Sequence, residues 1–237
     1  MPDRKIKQCP CCDSDHLESV CFLSGVPVNN TAIFFNEDSA RSIDRGDLDI
    51  RFCMRCGFIF NSAFEPDLPL YSNEYEETQG FSPTFRKFHE KLALELIDRF
   101  GVIDKKILEI GCGKGEFLAL LCRDGQNTGV GIDPAFVEDR HPDPSNKRLQ
   151  FRTEYYKKGQ DISEFDFICC KMTLEHIHDV RAFLASIVSG LNQGPIQLFF
   201  QIPEMQRILE ETAFWDIYYE HCSYFTRSSL ASVFQSV

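Results

Sequence analysis

The run Lys106-Ile-Leu-Glu109-Ile-Gly111-Cys112-Gly113-Lys-Gly115-Glu-Phe-Leu restricts this chain more than any other stretch. A short apolar segment ends beside a carboxylate, passes into three alternate glycines, and then resumes apolar residues at helical spacing. The pattern predicts a strand, a tight turn and a helix. Glycines let the main chain take positive φ and pass close beneath a ligand. A dinucleotide fingerprint, Gly-x-Gly-x-x-Gly, seats a pyrophosphate on the helix N-terminus. Here Glu116 stands where the third glycine of that fingerprint falls, and its carboxylate repels a pyrophosphate. The turn better suits a ligand with a cationic amino-acid end. Asp133 closes the run Gly129-Val-Gly-Ile-Asp133-Pro134, and a carboxylate there can accept both hydroxyls of a ribose. A generic nucleotide-binding turn is the alternative.

From residue 105 onward strands and helices alternate. Strands are expected at Lys106–Ile110, Thr128–Asp133, Leu149–Thr153, Phe165–Cys170 and Ile196–Ile202, with a helix N-capped by Asp179 before the last and another starting near Thr226. This is the signature of a parallel, doubly wound α/β sheet. Ahead of it, Phe85, Phe88, Leu92, Leu96 and Phe100 recur at intervals of three and four, an amphipathic helix. Three regions follow: 1–70, a small module; 71–104, a linker and helix; 105–237, the α/β domain.

Two Cys-x-x-Cys pairs mark the first region, Cys9/Cys12 and Cys53/Cys56, the latter followed by Gly57. Each such turn aims two sulfurs at one point, and four thiolates make a closed tetrahedral zinc site of structural type. Cys11 competes with Cys12, and packed or redox cysteines are the other reading. No apolar stretch precedes the first cysteines, and nothing approaches the ~18 apolar residues of a membrane span. The expected setting is therefore a reducing cytoplasm, where the 11 cysteines of the sequence serve metal or packing rather than disulfides. A formal charge of −11 without a Lys/Arg cluster argues against nucleic acid and for a small-molecule partner. Oligomeric state is not readable from the sequence.

Together these residues resemble class I S-adenosylmethionine-dependent methyltransferases over 105–237. More narrowly they resemble the group with an N-terminal zinc-binding domain that includes deoxysugar C-methyltransferases. Further matching stretches are Leu174-Glu-His-Ile-His178, Ile202-Pro-Glu204, Trp215-Asp-Ile-Tyr-Tyr-Glu-His221-Cys-Ser-Tyr-Phe225 and Tyr71-Ser-Asn-Glu-Tyr75. The glycine turn itself has the general methyltransferase form rather than the Asn-Asp-Gly form of many sugar enzymes. The resemblance implies a Rossmann-like fold and S-adenosylmethionine as cofactor. It assigns cofactor binding to Glu109, Gly111, Cys112, Gly113, Gly115, Asp133, Pro134, Lys171, Met172 and His176, the 174–178 segment packing against adenosine. The reaction it implies is methyl transfer to a small molecule, in its sharpest form C-methylation of a nucleotide-linked keto-deoxysugar. O- or N-methylation of another metabolite, and an inactive cofactor-binding fragment, are the alternatives. Such enzymes have a seven-stranded sheet and a further C-terminal domain, so the chain is expected to be truncated after strand five.

His221 is the candidate general base, because an imidazole titrating near ~6.5 abstracts protons at neutral pH. Glu220 is expected to orient it or raise its basicity. In the resembling sugar enzymes the corresponding histidine takes a proton beside a ketone. Tyr218, with Tyr71 or Tyr75, is expected to hydrogen-bond the sugar or the developing oxyanion. A structural lid holding a buried, satisfied histidine is the competing reading. His176 and His178 read as shaping the pocket rather than binding metal. His89, His16 and His141 are given no role, and Phe214 and Trp215 are expected to pack the lid.

Overall fold

In the computed structural model, residues 6–30, 32–69, 79–141, 143–191 and 194–237 are described. Tyr71 and Tyr75 lie outside them. Among the described residues the elements run β1 (Leu17–Pro27), α1 (Glu37–Arg41), β2 (Arg45–Cys53), β3 (Ile59–Asn61), α2 (Pro83–Phe100), β4 (Lys106–Ile110), α3 (Glu116–Asp124) and β5 (Thr128–Ile132). They continue with β6 (Leu149–Arg152), β7 (Phe167–Lys171), α4 (Val180–Gly190), β8 (Gln197–Gln201), α5 (Met205–Glu210), β9 (Ser223–Tyr224) and α6 (Arg227–Gln235). The expected strands are all present, with ends displaced by at most two residues. Asp179 does cap α4, its Oδ1 accepting the Ala182 N–H at 3.1 Å, and Thr226 with Ser229 forms a capping box on α6.

The chain condenses into two units, one of residues 71–171 and 189–201, the other of residues 1–70, 172–188 and 202–237. In the first, five parallel strands lie in the order β6-β5-β4-β7-β8. By position along the chain this is 3-2-1-4-5, a Rossmann-like order whose reversal beside the first strand opens a crevice at the carboxyl ends. Ile107, Phe117, Leu118, Leu121, Cys122 and Phe167 form its core with Ala93, Leu96 and Ile97 of α2. The buried face of α2 is thus His89, Ala93, Leu96 and Ile97, while Phe88 and Phe100 of the expected stripe are exposed. Ala93, fully buried, shares that core with the α3 residues, so a small residue and not the large phenylalanines marks the inward face.

The second unit departs from the expected boundaries, which placed 172–188 and 202–237 in one domain with 105–171. A four-stranded sheet in the order β1-β2-β3-β9 joins the two ends of the sequence. β9 pairs antiparallel with β3 through Ile59↔Tyr224 and Phe60↔Ser223. Leu48, Ile50 and Ile59 then share one core with Met205, Ile208, Ala213 and Tyr224. The bond between the Tyr219 hydroxyl and the Glu65 N–H, at 2.9 Å, ties the same segments. No helix among the described residues is long and apolar enough to cross a membrane.

Candidate functional site

The glycine turn lies where β4 ends. Gly111, Gly113 and Gly115 have φ of 72°, 53° and 77°, a region costly to any residue bearing a Cβ. The Gly111 N–H bonds to the Ile132 carbonyl at 2.8 Å, clamping the turn to the end of β5. Asp133 follows directly. Its Oδ2 accepts from the Gly113 N–H at 2.9 Å and its Oδ1 from the Ala135 N–H at 2.7 Å. The carboxylate is therefore fixed, and each oxygen keeps a second lone pair for a hydroxyl. Burial raises the Asp133 carboxyl, and the two amides oppose that shift. Glu109 is fully buried. Burial raises its carboxyl to about 7, against the nearby Lys171 ammonium and the Leu118 main chain in the first turn of α3. Its Oε2 has no hydrogen-bond partner. Cys112 is buried behind the turn, and Pro134 lies next to Asp133.

Lys171, the last residue of β7, extends to His89, with Nζ 3.1 Å from Nε2. It lies 5.4 Å from the Phe117 ring centroid and 5.8 Å from that of Phe85. Burial, then the Lys171 charge, pushes His89 down to about 4, so the imidazole is neutral. The sequence places His89 near the apolar side of α2 without a role, and the structure buries it there against Lys171. His141, to which the sequence assigns no role, lies edge-on to Phe151 at 4.6 Å, and Phe151 stacks on Phe136 at 4.4 Å.

Met172 and His176 belong to the other unit, with the histidine cluster. There the His221 Nε2 is 2.5 Å from the Tyr218 hydroxyl, and Nδ1 is 2.9 Å from the Asp216 carbonyl. A carbonyl can only accept, so Nδ1 carries the hydrogen and Nε2 presents its lone pair to Tyr218. Burial pushes His221 down to about 4. The His176 ring stands edge-on to it at 4.9 Å, and burial, then His221, pushes His176 down to about 3. Both imidazoles are neutral at pH 7. The Glu175 carboxylate lies with these rings, the three ligand groups all within 4.8 Å of one another.

The expected partnership of Glu220 with His221 takes a different form. Glu220 is buried and accepts from the Asn30 N–H at 2.6 Å and the Asn29 Nδ2 at 3.3 Å. The group on His221 Nδ1 is the Asp216 main chain, because the bend at 216–221 brings that carbonyl under the ring. Arg207 pairs with the Asp216 carboxylate and holds the bend. Phe214 and Trp215 are not packed: they are 72% and 60% exposed, set edge to face at 5.4 Å.

In the same unit Cys9, Cys12, Cys53 and Cys56 converge, their four sulfurs within 4.8 Å of one another. The Cys9–Cys56 and Cys12–Cys53 separations are both 3.6 Å. A tetrahedron of sulfurs about 2.3 Å from zinc has edges of about 3.8 Å, so the cluster fits that ion. The two knuckles are built alike. Asp13 and Gly57 donate to the carbonyls of Cys9 and Cys53, each at 2.9 Å, and take φ of 58° and 73°. Cys11 is buried outside the cluster.

Strand order and a glycine turn after the first strand define a Rossmann-like domain, and Asp133 is fixed at the end of its second strand. Residues 85–237 match the family model described as a methyltransferase domain, and the chain belongs to that family. It is 26% identical to the C-methyltransferase NovU of Streptomyces niveus over 247 aligned positions, covering 98% of this chain and 56% of that protein. It is 31% identical to the ubiquinone biosynthesis O-methyltransferase of Yersinia pestis over 99 positions, 40% of this chain and 41% of that one. The chain thus spans about half the length of these curated relatives. Among solved structures it is similar to the 1,6-didemethyltoxoflavin-N1-methyltransferase of Burkholderia thailandensis, which holds 1,6-didemethyltoxoflavin and S-adenosylhomocysteine. That match has TM-score 0.50 and 16% identity, covering 66% of this chain and 70% of the other.

Proposed function

We propose that this chain binds S-adenosylmethionine at the turn after β4 and serves methyl transfer to carbon in a small-molecule acceptor, a nucleotide-linked keto-deoxysugar, with His221 as base. When bound, S-adenosylmethionine supplies an electrophilic methyl group. Asp133 takes the ribose hydroxyls, and Gly111, Cys112, Gly113 and Gly115 let the main chain pass beneath the ligand. Pro134 follows Asp133 in the same unit, whereas Met172 and His176, expected from the sequence to bind the cofactor, belong to the other unit.

The observation that carries the choice of carbon is the Asp216–His221–Tyr218 relay. Nδ1–H is fixed on a carbonyl, so Nε2 is the basic atom, and it is neutral at physiological pH. Nε2 has a single lone pair, so the Tyr218 hydroxyl hydrogen first swings from it to the acceptor's ketone oxygen. Nε2 then takes the proton from the carbon beside the ketone, and the Tyr218 hydroxyl hydrogen-bonds the developing oxyanion. Glu220 holds the 29–30 loop against the same segment. Tyr71 and Tyr75 remain further candidates for the acceptor's hydroxyls. The alignment to a C-methyltransferase over 98% of this chain supports the same choice.

The four cysteines hold a structural zinc in this reading. A closed set of protein ligands leaves no position for substrate, and the ion joins β1 and β2 at their ends.

The test is proton exchange in D2O on a nucleotide-linked keto-deoxysugar, followed by NMR without methyl donor. Wild type should exchange the proton beside the ketone, and His221→Gln should not. Equal exchange by both would reject His221 as base. Methyl transfer to oxygen or nitrogen in the complete reaction would reject carbon as acceptor.

A further inference from the structure

Phe214 and Trp215 take no part in the relay, yet they stand on the segment that forms it. Their rings meet edge to face at 5.4 Å and are 72% and 60% exposed. The main chain beneath them is fixed. They open the turn Phe214–Asp216, which is held on one side by the buried Ala213 and on the other by Ile217, both packed in the core of the second unit's sheet. Where the chain leaves α5, Thr212 takes φ of 55°, a costly conformation for a β-branched residue. The Phe214 N–H then donates to the Thr212 carbonyl at 2.8 Å, and the Asp216 N–H to the Ala213 carbonyl at 3.0 Å. Asp216 in turn supplies the carbonyl under His221 Nδ1, and Tyr218, on Nε2, is partly exposed. An accessible aromatic surface thus begins one residue from the group that holds the base.

Area and charge narrow what this surface takes. The exposed parts of the two rings come to about 300 Å², against about 800 Å² per partner in a specific protein interface. A small planar ligand matches that area better than a protein does. The arginines flanking this segment, Arg207 and Arg227, are already paired with the carboxylates of Glu211, Asp216 and Glu204. Of a nucleotide's parts, the segment therefore suits the base rather than the phosphates, and every base has a π-face that stacks on an aromatic ring. We infer that Trp215, flanked by Phe214, stacks the nucleobase of the acceptor and so selects nucleotide-linked molecules over the free sugar. This rests on the reading that the acceptor is nucleotide-linked. It gives the two rings a purpose other than the packing expected of them.

Trp215 is the one tryptophan of the sequence, so its fluorescence reports the contact directly. Uridine diphosphate and guanosine diphosphate, a pyrimidine and a purine, are titrated into the wild-type chain. Both should quench Trp215 saturably, whereas ribose 5-phosphate, which has no base, should not. By calorimetry, Trp215→Leu should weaken both nucleotides about fivefold to a hundredfold, the worth of one stacked base. Trp215→Phe, which keeps an aromatic face, should restore most of that loss. The urea midpoint of Trp215→Leu should match wild type, because an exposed ring contributes little packing. In the D2O exchange assay Trp215→Leu should raise KM for the nucleotide-linked keto-deoxysugar and leave kcat near wild type. Equal quenching by ribose 5-phosphate, or equal nucleotide affinity in Trp215→Leu, overturns the inference. A wild type that exchanges the ketone proton but binds neither nucleotide also overturns it and leaves His221 standing as base. Quenching by nucleotides in a wild type that exchanges no proton supports the stacking site and removes the base reading alone.

Discussion

Replacing Gly115 by alanine should damage the cofactor turn in two separable ways. Gly115 caps α3 with φ of 77°, where a Cβ costs about 1–2 kcal/mol. The added methyl would also sit 2.4 Å from Cε1 and Cζ of Phe151. That ring cannot swing aside freely, since it is stacked within 10° on Phe136 and flanked edge-on by His141. Forcing a methyl into such packing costs about 1–3 kcal/mol. The sum is about 2–5 kcal/mol. Gly101→Ala is the control, with φ of 66° and nothing within 4 Å of the added Cβ, so only the backbone cost applies. Urea unfolding followed by circular dichroism measures both. In a Phe151→Ala background the cost of Gly115→Ala should shrink to the backbone share, a coupling that a double-mutant cycle reads directly. If Gly115→Ala costs no more than Gly101→Ala, or the cycle shows no coupling, the rigid aromatic wall behind the turn is refuted.

Stability should fall on acidification from pH 6.5 to 4.5. His89, His176 and His221 have folded pKa values of about 4, 3 and 4 against 6.5, so below 6.5 the unfolded chain takes up protons the folded one refuses. Glu109, raised to about 7 from 4.5, works in the opposite sense over the same window. Three groups against one leave a net loss of up to about 3 kcal/mol per pH unit; a flat or rising urea midpoint would contradict the burial of these rings. Cys53→Ser should drop bound zinc from one equivalent per chain to well below it and lower the melting temperature. An unchanged metal content by elemental analysis would reject the four-thiolate site. Tyr218→Phe removes the hydroxyl on His221 Nε2, and the ring resonances of His221 should shift while its burial keeps it neutral at pH 7; an unperturbed spectrum would dissolve the relay.

The strands of the parallel sheet and the turn after β4 could be read from the sequence because their causes are local: apolar runs, glycines at fixed offsets, a carboxylate at a strand end. The cysteine cluster was legible for the same reason, two short-range pairs needing only to meet. The pairing of β3 with β9 was not, since nothing local in Ile59–Asn61 announces a partner some 160 residues away. The identity of the group behind His221 also lay beyond reach. Glu220 is its neighbour in sequence, but a bend, not adjacency, decides what meets Nδ1, and a main-chain carbonyl leaves no mark in residue identity. His89 was hidden by the large phenylalanines beside it, which drew the expected stripe one row away from the face that Ala93 turns inward.

Binding of S-adenosylmethionine at the glycine turn is tested most directly by calorimetric titration into the wild-type chain and into Asp133→Ala. The expected result is one-to-one binding by wild type and a loss of at least about tenfold in Asp133→Ala, since the ribose hydroxyls lose their charged acceptor. No binding by a folded, zinc-loaded wild-type sample, or equal affinity in the variant, would contradict the assignment of this site.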